Sequence, residues 1–146
     1  MMIVGARFWV VCQCANRSLL MSPYSVHGWK PQEVKSDGHP WINVVMESHN
    51  GIYAAKDMSH LVAFVMNETA MDSLRKRWWG TLKEYNPRAL VFGSVRMWGT
   101  VIEHERGYRA EHTKVHSLDT ITSGPEFTTM RDDGSDLEVL RLIYGV

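Results

Sequence analysis

The sequence predicts an α+β fold, a mostly antiparallel, strongly bent sheet or partial barrel with two central helices and a C-terminal helix packed on it. Three observations point there. The stretch from Val91 to Glu111 (VFGSVRMWGTVIEHERGYRAE) gathers Val91, Phe92, Val95, Val101 and Ile102, while Gly93, Gly99 and Gly107 mark bends, bulges or a tight turn. Between Asp57 and Asn86 the apolar residues recur at helical spacing. Near the end, Ser135 and Glu138 make an S-x-x-E capping box ahead of an inward stripe of Leu137, Leu140 and Tyr144.

In chain order, Ala6 to Gln13 reads as a strand and Arg17 to Met21 as a second, joined through Cys14, Ala15 and Asn16 into a hairpin. Ser22 to Pro40 carries Pro23, Gly28, Pro31, Gly38 and Pro40 and reads as a long irregular excursion pinned by Trp29 and Trp41. Trp41 to Met46 is a short strand, followed by a turn at His49 to Gly51 and a strand at Ile52 to Ala54. Asp57 is an N-cap for a helix to about Asn67, with Met58, Leu61, Val62 and Val65 on one face. Thr69 and Asp72 suggest a capping box for the second helix, whose stripe is Met71, Leu74, Trp78, Leu82 and Tyr85, ended by Asn86 and Pro87. Within the central stretch, a two-residue turn at Arg106 and Gly107 would place Glu105 opposite Tyr108, His104 opposite Arg109 and Glu103 opposite Ala110. Thr113 to Leu118 completes the sheet, and Thr122 to Gly134 is irregular.

The chain has 146 residues, 45% apolar and 22% charged, which suits one folded domain with its own core. Lys and Arg balance Asp and Glu at 16 each, so no global field draws the chain to nucleic acid or to an anionic membrane; only a local patch could. No apolar run reaches membrane-spanning length and the N-terminus lacks signal-peptide order, so the expected location is cytoplasmic. Cys12 and Cys14 at i, i+2 on a strand share a face without disulfide geometry and read as strand residues, so neither they nor any other set implies a metal or cofactor. The Asp132, Asp133, Gly134 turn lacks the ligand pattern of a calcium loop. His112 and His116 on a strand would stand roughly 13 Å apart, too far to share a metal.

Glu103, His104 and Glu105 with Arg109 form the densest ionisable cluster. A carboxylate beside an imidazole can orient it as a general base, and an arginine can hold an anion bidentately. The same residues also read as a solvated sheet face with cross-strand ion pairs. Strand alternation sets His104 on the face away from Glu103 and Glu105, so the three do not converge without a bulge. Arg75, Lys76 and Arg77 form a basic run that reads as a solvated helix face or as a partner contact, with Asp72 one turn before Lys76. No H-E-x-x-H, nucleophile elbow, Walker loop or dinucleotide fingerprint is present.

The order G-x-R-x-W-x-V (Gly5 to Val11), N-G-I-Y-A (Asn50 to Ala54), G-x-V-x-x-W-G-x-V-I-E-H-E-x-G-Y-R-A-E (Gly93 to Glu111) and Y-G-V (Tyr144 to Val146) resembles a group of bacterial proteins of undefined function. The resemblance implies a shared fold and no catalytic residues. Members of the group often carry cysteines just before G-I-Y-A, where this chain has Ser48, His49 and Asn50, a departure that speaks against a metal role there. Glu68 to Arg88 reads as an insertion and a candidate partner surface.

The leading expectation is a binding module without turnover that engages a protein partner, as small accessory or inhibitory proteins of phage or mobile elements do. Its contact surfaces would be Arg75, Lys76 and Arg77 on the second helix, the Trp-rich loop from Ser22 to Trp41 with Trp29, or the Glu103 to Arg109 face with Tyr108. A small-ligand or nucleotide pocket walled by Trp29, Trp41 or Trp98 with Arg109 holding an anion is the second expectation. A hydrolase-like enzyme with His104 as base and Glu103 or Glu105 as its partner is the third. Self-association is compatible with all three.

Overall fold

The architecture comes from a computed structural model that describes residues 2–14, 17–24, 28–31, 35–36, 51–122, 130–131 and 135–146. The strands are β1 (Ile3–Cys14), β2 (Arg17–Met21), β3 (Gly28–Trp29), β4 (Lys35–Ser36), β5 (Ile52–Ala55), β6 (Pro87–Glu103), β7 (Gly107–Thr122) and β8 (Met130–Arg131). The helices are α1 (Met58–Val65), α2 (Glu68–Lys76) and α3 (Ser135–Tyr144). Every pairing among the described strands is antiparallel. β6 runs between β1 and β7, and β5 pairs with β7 from Ile52↔Ala110 to Ala55↔Gly107 and with β1 at Ala6↔Ala55. The circuit β1, β6, β7, β5 therefore closes through one residue pair, giving a partial barrel of α+β class.

Both faces of the long strands are buried where they carry the apolar runs, which is why those runs do not alternate. Trp9, Val11, Val91, Val95 and Met97 join Leu118 and Ile121 in an inner core closed by Leu137, Leu140 and Tyr144 of α3. On the opposite face Phe8, Val10, Cys12, Leu90 and Phe92 pack under Val65, Met71, Leu74 and Trp78. Cys12 is thus a buried core residue. The bend is written into the β6–β7 ladder, whose register slips at Phe92/Gly93, Ser94/Val95 and Trp98/Val101. At Gly93 the two backbones come so close that a Cβ would stand 2.0 Å from the Ser117 carbonyl oxygen.

Asp57 caps α1 as the sequence predicts, its carboxylate accepting from the backbone N–H of Ser59 at 2.8 Å and of His60 at 3.3 Å. The second cap differs. Asn67, extended at φ −62° and ψ 140°, accepts from the Thr69 N–H at 3.0 Å, so Thr69 is the donor and lies inside α2. α2 stops at Lys76 and passes into a π turn over Arg77–Thr81, closed by Leu82 N–H donating to the Arg77 carbonyl at 2.7 Å. A 3₁₀ turn at Lys83–Tyr85 follows, and Asn86 at φ 52° redirects the chain into Pro87 and β6. Thr113 to Leu118 is no separate strand but the middle of β7.

Within the stretch read as irregular, β3 pairs with β2 and β4 with β7. The expected Trp41 to Met46 strand, Trp41 itself, the His49 and Asn50 part of the next turn and the Asp132 to Gly134 turn lie outside the described residues. No helix among the described residues is long and apolar enough to cross a membrane.

Candidate functional site

The densest ionisable cluster sits at the end of the β6–β7 hairpin. Its register differs from the expected one: Glu103 faces Tyr108, Ile102 faces Arg109 and Val101 faces Ala110. The ladder ends at Glu103, so His104, Glu105 and Arg106 form the loop, with His104 N–H donating to the Gly107 carbonyl at 2.8 Å. Gly107 opens β7 rather than making a two-residue turn. A side chain there would place its Cβ 2.6 Å from the Ala54 carbonyl oxygen, so the glycine serves the close approach of β5.

His104 and Arg109, expected to meet across the strands, meet through their side chains. Arg109 is 1% exposed, and its Nε donates to His104 Nε2 at 3.0 Å. An arginine N–H donates only into an unprotonated ring nitrogen, which puts the imidazole proton on Nδ1. Nε2 is thus engaged by the arginine. Tyr53 of β5 stacks on the same imidazole, with centroids 6.5 Å apart and planes at 23°.

The carboxylates go elsewhere. Glu103 Oε2 pairs with Lys56 Nζ at 2.6 Å, and the ammonium also lies 5.5 Å from the Tyr108 ring centroid. Lys56 N–H donates to the Arg106 carbonyl at 3.1 Å, which ties the end of β5 to the hairpin loop. Glu105 is exposed in the loop. Glu103, His104 and Glu105 thus stand in the open without converging on one point, and Arg109 lies beneath them. A cavity of about 340 Å³ lies elsewhere, against α3, between Val11, Ser18, Arg88, Ile121, Thr122 and Leu140. Among the described residues no three His, Cys, Asp or Glu side chains are grouped to hold a metal.

The remaining candidates are spread over the fold. Trp29 is 2% exposed and belongs to the inner core, its Nε1 donating to Ser22 Oγ at 2.8 Å. Arg7 lies over its ring at 4.8 Å and donates to Ser22 Oγ and to the Tyr53 carbonyl; burial lowers this guanidinium to about 10. Trp98 is half-buried against His112. Of the basic run, Lys76 pairs with Asp72 at 2.9 Å, and Arg77 donates to the Pro23 and Tyr24 carbonyls at 3.1 and 3.2 Å. Arg77 therefore anchors the chain after β2, and Arg75 is exposed. Sequence reasoning passed over Tyr53 and Lys56, although N-G-I-Y-A marked their neighbourhood; their link to the hairpin is the long-range pairing of β5 with β7, which no local pattern encodes.

No family model, curated protein or solved structure matches the chain.

Proposed function

We propose that the protein is a binding module without turnover, and that it engages a protein partner through the hairpin end formed by Tyr53, Lys56, Glu103, His104 and Tyr108. The observation that supports this reading is that the exposed His104 and Glu103 are each held by a neighbour. His104 is fixed between Arg109 and Tyr53, and Glu103 by Lys56. Catalysis needs an enclosed site that excludes water. Recognition needs what this surface has, rigid Tyr and charged side chains whose ordering cost is met before the partner arrives. A small accessory or inhibitory protein of the phage or mobile-element kind would act in this way.

Affinity purification from the producing cells, followed by direct titration of the recovered protein, tests it. Tyr53→Ala combined with Lys56→Ala should weaken the partner by at least about tenfold, while Glu84→Gln on the far turn should not. A partner that binds the double variant as tightly as the wild type would remove this surface from the reading. The cavity against α3 favours a second reading, a small-ligand pocket with Arg88 at its wall. At about 340 Å³ it reaches the lower size of drug-like sites. A mass retained on the native protein and lost on Leu140→Trp would support the pocket.

A further inference from the structure

Among the described residues, helices cover the outer face of the sheet over one half only. α1 and α2 lie on Phe8, Val10, Leu90 and Phe92. β1 and β6 stay in unbroken register from Val10↔Leu90 to Ile3↔Met97, so alternation carries that same face onward through Val4, Arg96 and Trp98. β7 extends it with Lys114 opposite Arg96 and His112 opposite Trp98. The residues between them, Val95, Met97 and Val115, point into the inner core. Val4 is 43% exposed and Met2 56%. His116, the extra residue where Val95↔Val115 gives way to Ser94↔Ser117, is exposed as well.

Like charges placed directly opposite one another destabilise a ladder. Arg96 and Lys114 are such a pair, and among the described residues neither forms an ion pair. Arg96 Nε is in addition buried without a hydrogen-bond partner. One row away, about 7 Å along the strands, Trp98 leans over His112 with centroids 5.8 Å apart and planes at 33°. The face thus sets two cations that form no ion pair among the described residues beside a two-ring aromatic step, whose His112 Nε2 lies 3.0 Å from Glu111 Oε1 at the edge of the patch.

We propose that this open half-face binds single-stranded nucleic acid, with Arg96 and Lys114 on backbone phosphates and the Trp98–His112 step receiving a base. A single strand offers both complements at every nucleotide, an anion and a bare π face. A duplex keeps its bases stacked inside, and an acidic peptide has no use for the aromatic step. Because the formal net charge of the chain is zero, the patch alone carries the attraction, and binding falls steeply with salt. The inference does not depend on the hairpin end having a protein partner.

Fluorescence anisotropy with labelled oligothymidylate and oligouridylate of about 20 nucleotides, and a duplex of equal length, tests it across a salt series. The wild type should bind the single strands at micromolar level and the duplex more weakly. Arg96→Gln with Lys114→Gln should flatten the slope of log affinity against log salt by about 1.4, at about 0.7 for each phosphate no longer neutralised. Trp98→Ala should weaken binding about tenfold with the slope unchanged, and Trp98→Phe should recover most of it. Arg17→Gln with Lys83→Gln, exposed cations away from the face, should bind as wild type. Thermal melts of each variant separate misfolding from a weakened interface. Absence of binding up to about 100 µM, at the weak end of non-specific affinity, would overturn the proposal. So would equal affinity for duplex, or an indifference to Trp98 matched by equal binding of polyglutamate, which would give the face to an acidic protein.

Discussion

Removing one oxygen atom from α3 should loosen the opposite end of the sheet. The Tyr144 hydroxyl accepts from the Leu20 N–H at 2.9 Å and donates to the Trp29 carbonyl, and Leu20 and Trp29 are partners in the β2–β3 ladder. The phenol therefore stands in for a backbone bond between two strands, in a place where Leu20 and Tyr144 are 0% and 2% exposed. Tyr144→Phe leaves one buried N–H and one buried C=O without their partner. Each such orphan costs about 1–3 kcal/mol. Some direct closure of β2 on β3 offsets part of this, so we expect a loss of about 2–4 kcal/mol. In a domain of this size that lowers Tm by roughly 6–12 °C, taking about 3 °C per kcal/mol. β3 is only the pair Gly28–Trp29, so the variant should also change tryptophan emission as Trp29 leaves Trp9 and Arg7. Urea denaturation followed by fluorescence measures both quantities. A loss below about 1 kcal/mol with unchanged emission would mean that the two strands hold each other without the phenol, and the bridging argument would fail.

Three further outcomes follow from the same geometry. Gly93→Ala would drive a Cβ to 2.0 Å from the Ser117 carbonyl oxygen and must part β6 from β7; a loss of at least about 2 kcal/mol in denaturant is expected. Gly80→Ala, in the π turn with nothing within 4 Å of the added carbon, should be neutral or stabilising by about 0.4–1 kcal/mol, and a comparable loss there would show that crowding was not the cause at Gly93. The Asp57 carboxyl is held below its ordinary range by hydrogen bonds from the Ser59 hydroxyl and from the backbone of His60 and Ser59. A folded-state value below the unfolded one stabilises α1 above the ordinary carboxylate range and loses that contribution as pH falls through the lowered value. Asp57→Asn should therefore flatten the acid limb of Tm against pH, and an unchanged limb would refute the cap as its source.

Much of the fold is local and was therefore legible. The N-terminal hairpin, the Asp57 cap and the Leu137, Leu140, Tyr144 stripe each depend on neighbours within a few residues, and the structure has all three. The errors share a cause. Arg106 and Gly107 look like a turn, yet Gly107 is required by the Ala54 carbonyl, from a strand much earlier in the chain. Thr69 and Asn67 are both acceptable caps, and only the extended backbone of Asn67 decides between them. The π turn at Arg77–Thr81 interrupts a continuous helical pattern because Trp78 donates to Pro23 and Arg77 to Pro23 and Tyr24, partners that lie far away in sequence. At the site, the cluster of Glu103, His104 and Arg109 was visible as composition. Its inability to converge was only half visible, since alternation separated the side chains but could not reveal Lys56 and Tyr53.

His104 is where the binding and catalytic readings part most cleanly. Arg109 is 1% exposed, and the imidazole supplies an acceptor to its Nε at 3.0 Å from above. His104→Ala removes that acceptor and the ring against Tyr53, so it should cost about 1–3 kcal/mol of stability from the buried cation alone. His104→Gln can return an amide oxygen toward the guanidinium, and stability should recover in part. A general base behaves differently, because glutamine cannot accept and hold a proton at neutral pH. If a turnover were found for this protein, the catalytic reading requires His104→Gln to lose it whatever the fold's stability. The binding reading requires partner affinity to follow the restored geometry. The two substitutions, measured for stability and for affinity on the same preparations, therefore distinguish a histidine that shapes a surface from one that moves a proton.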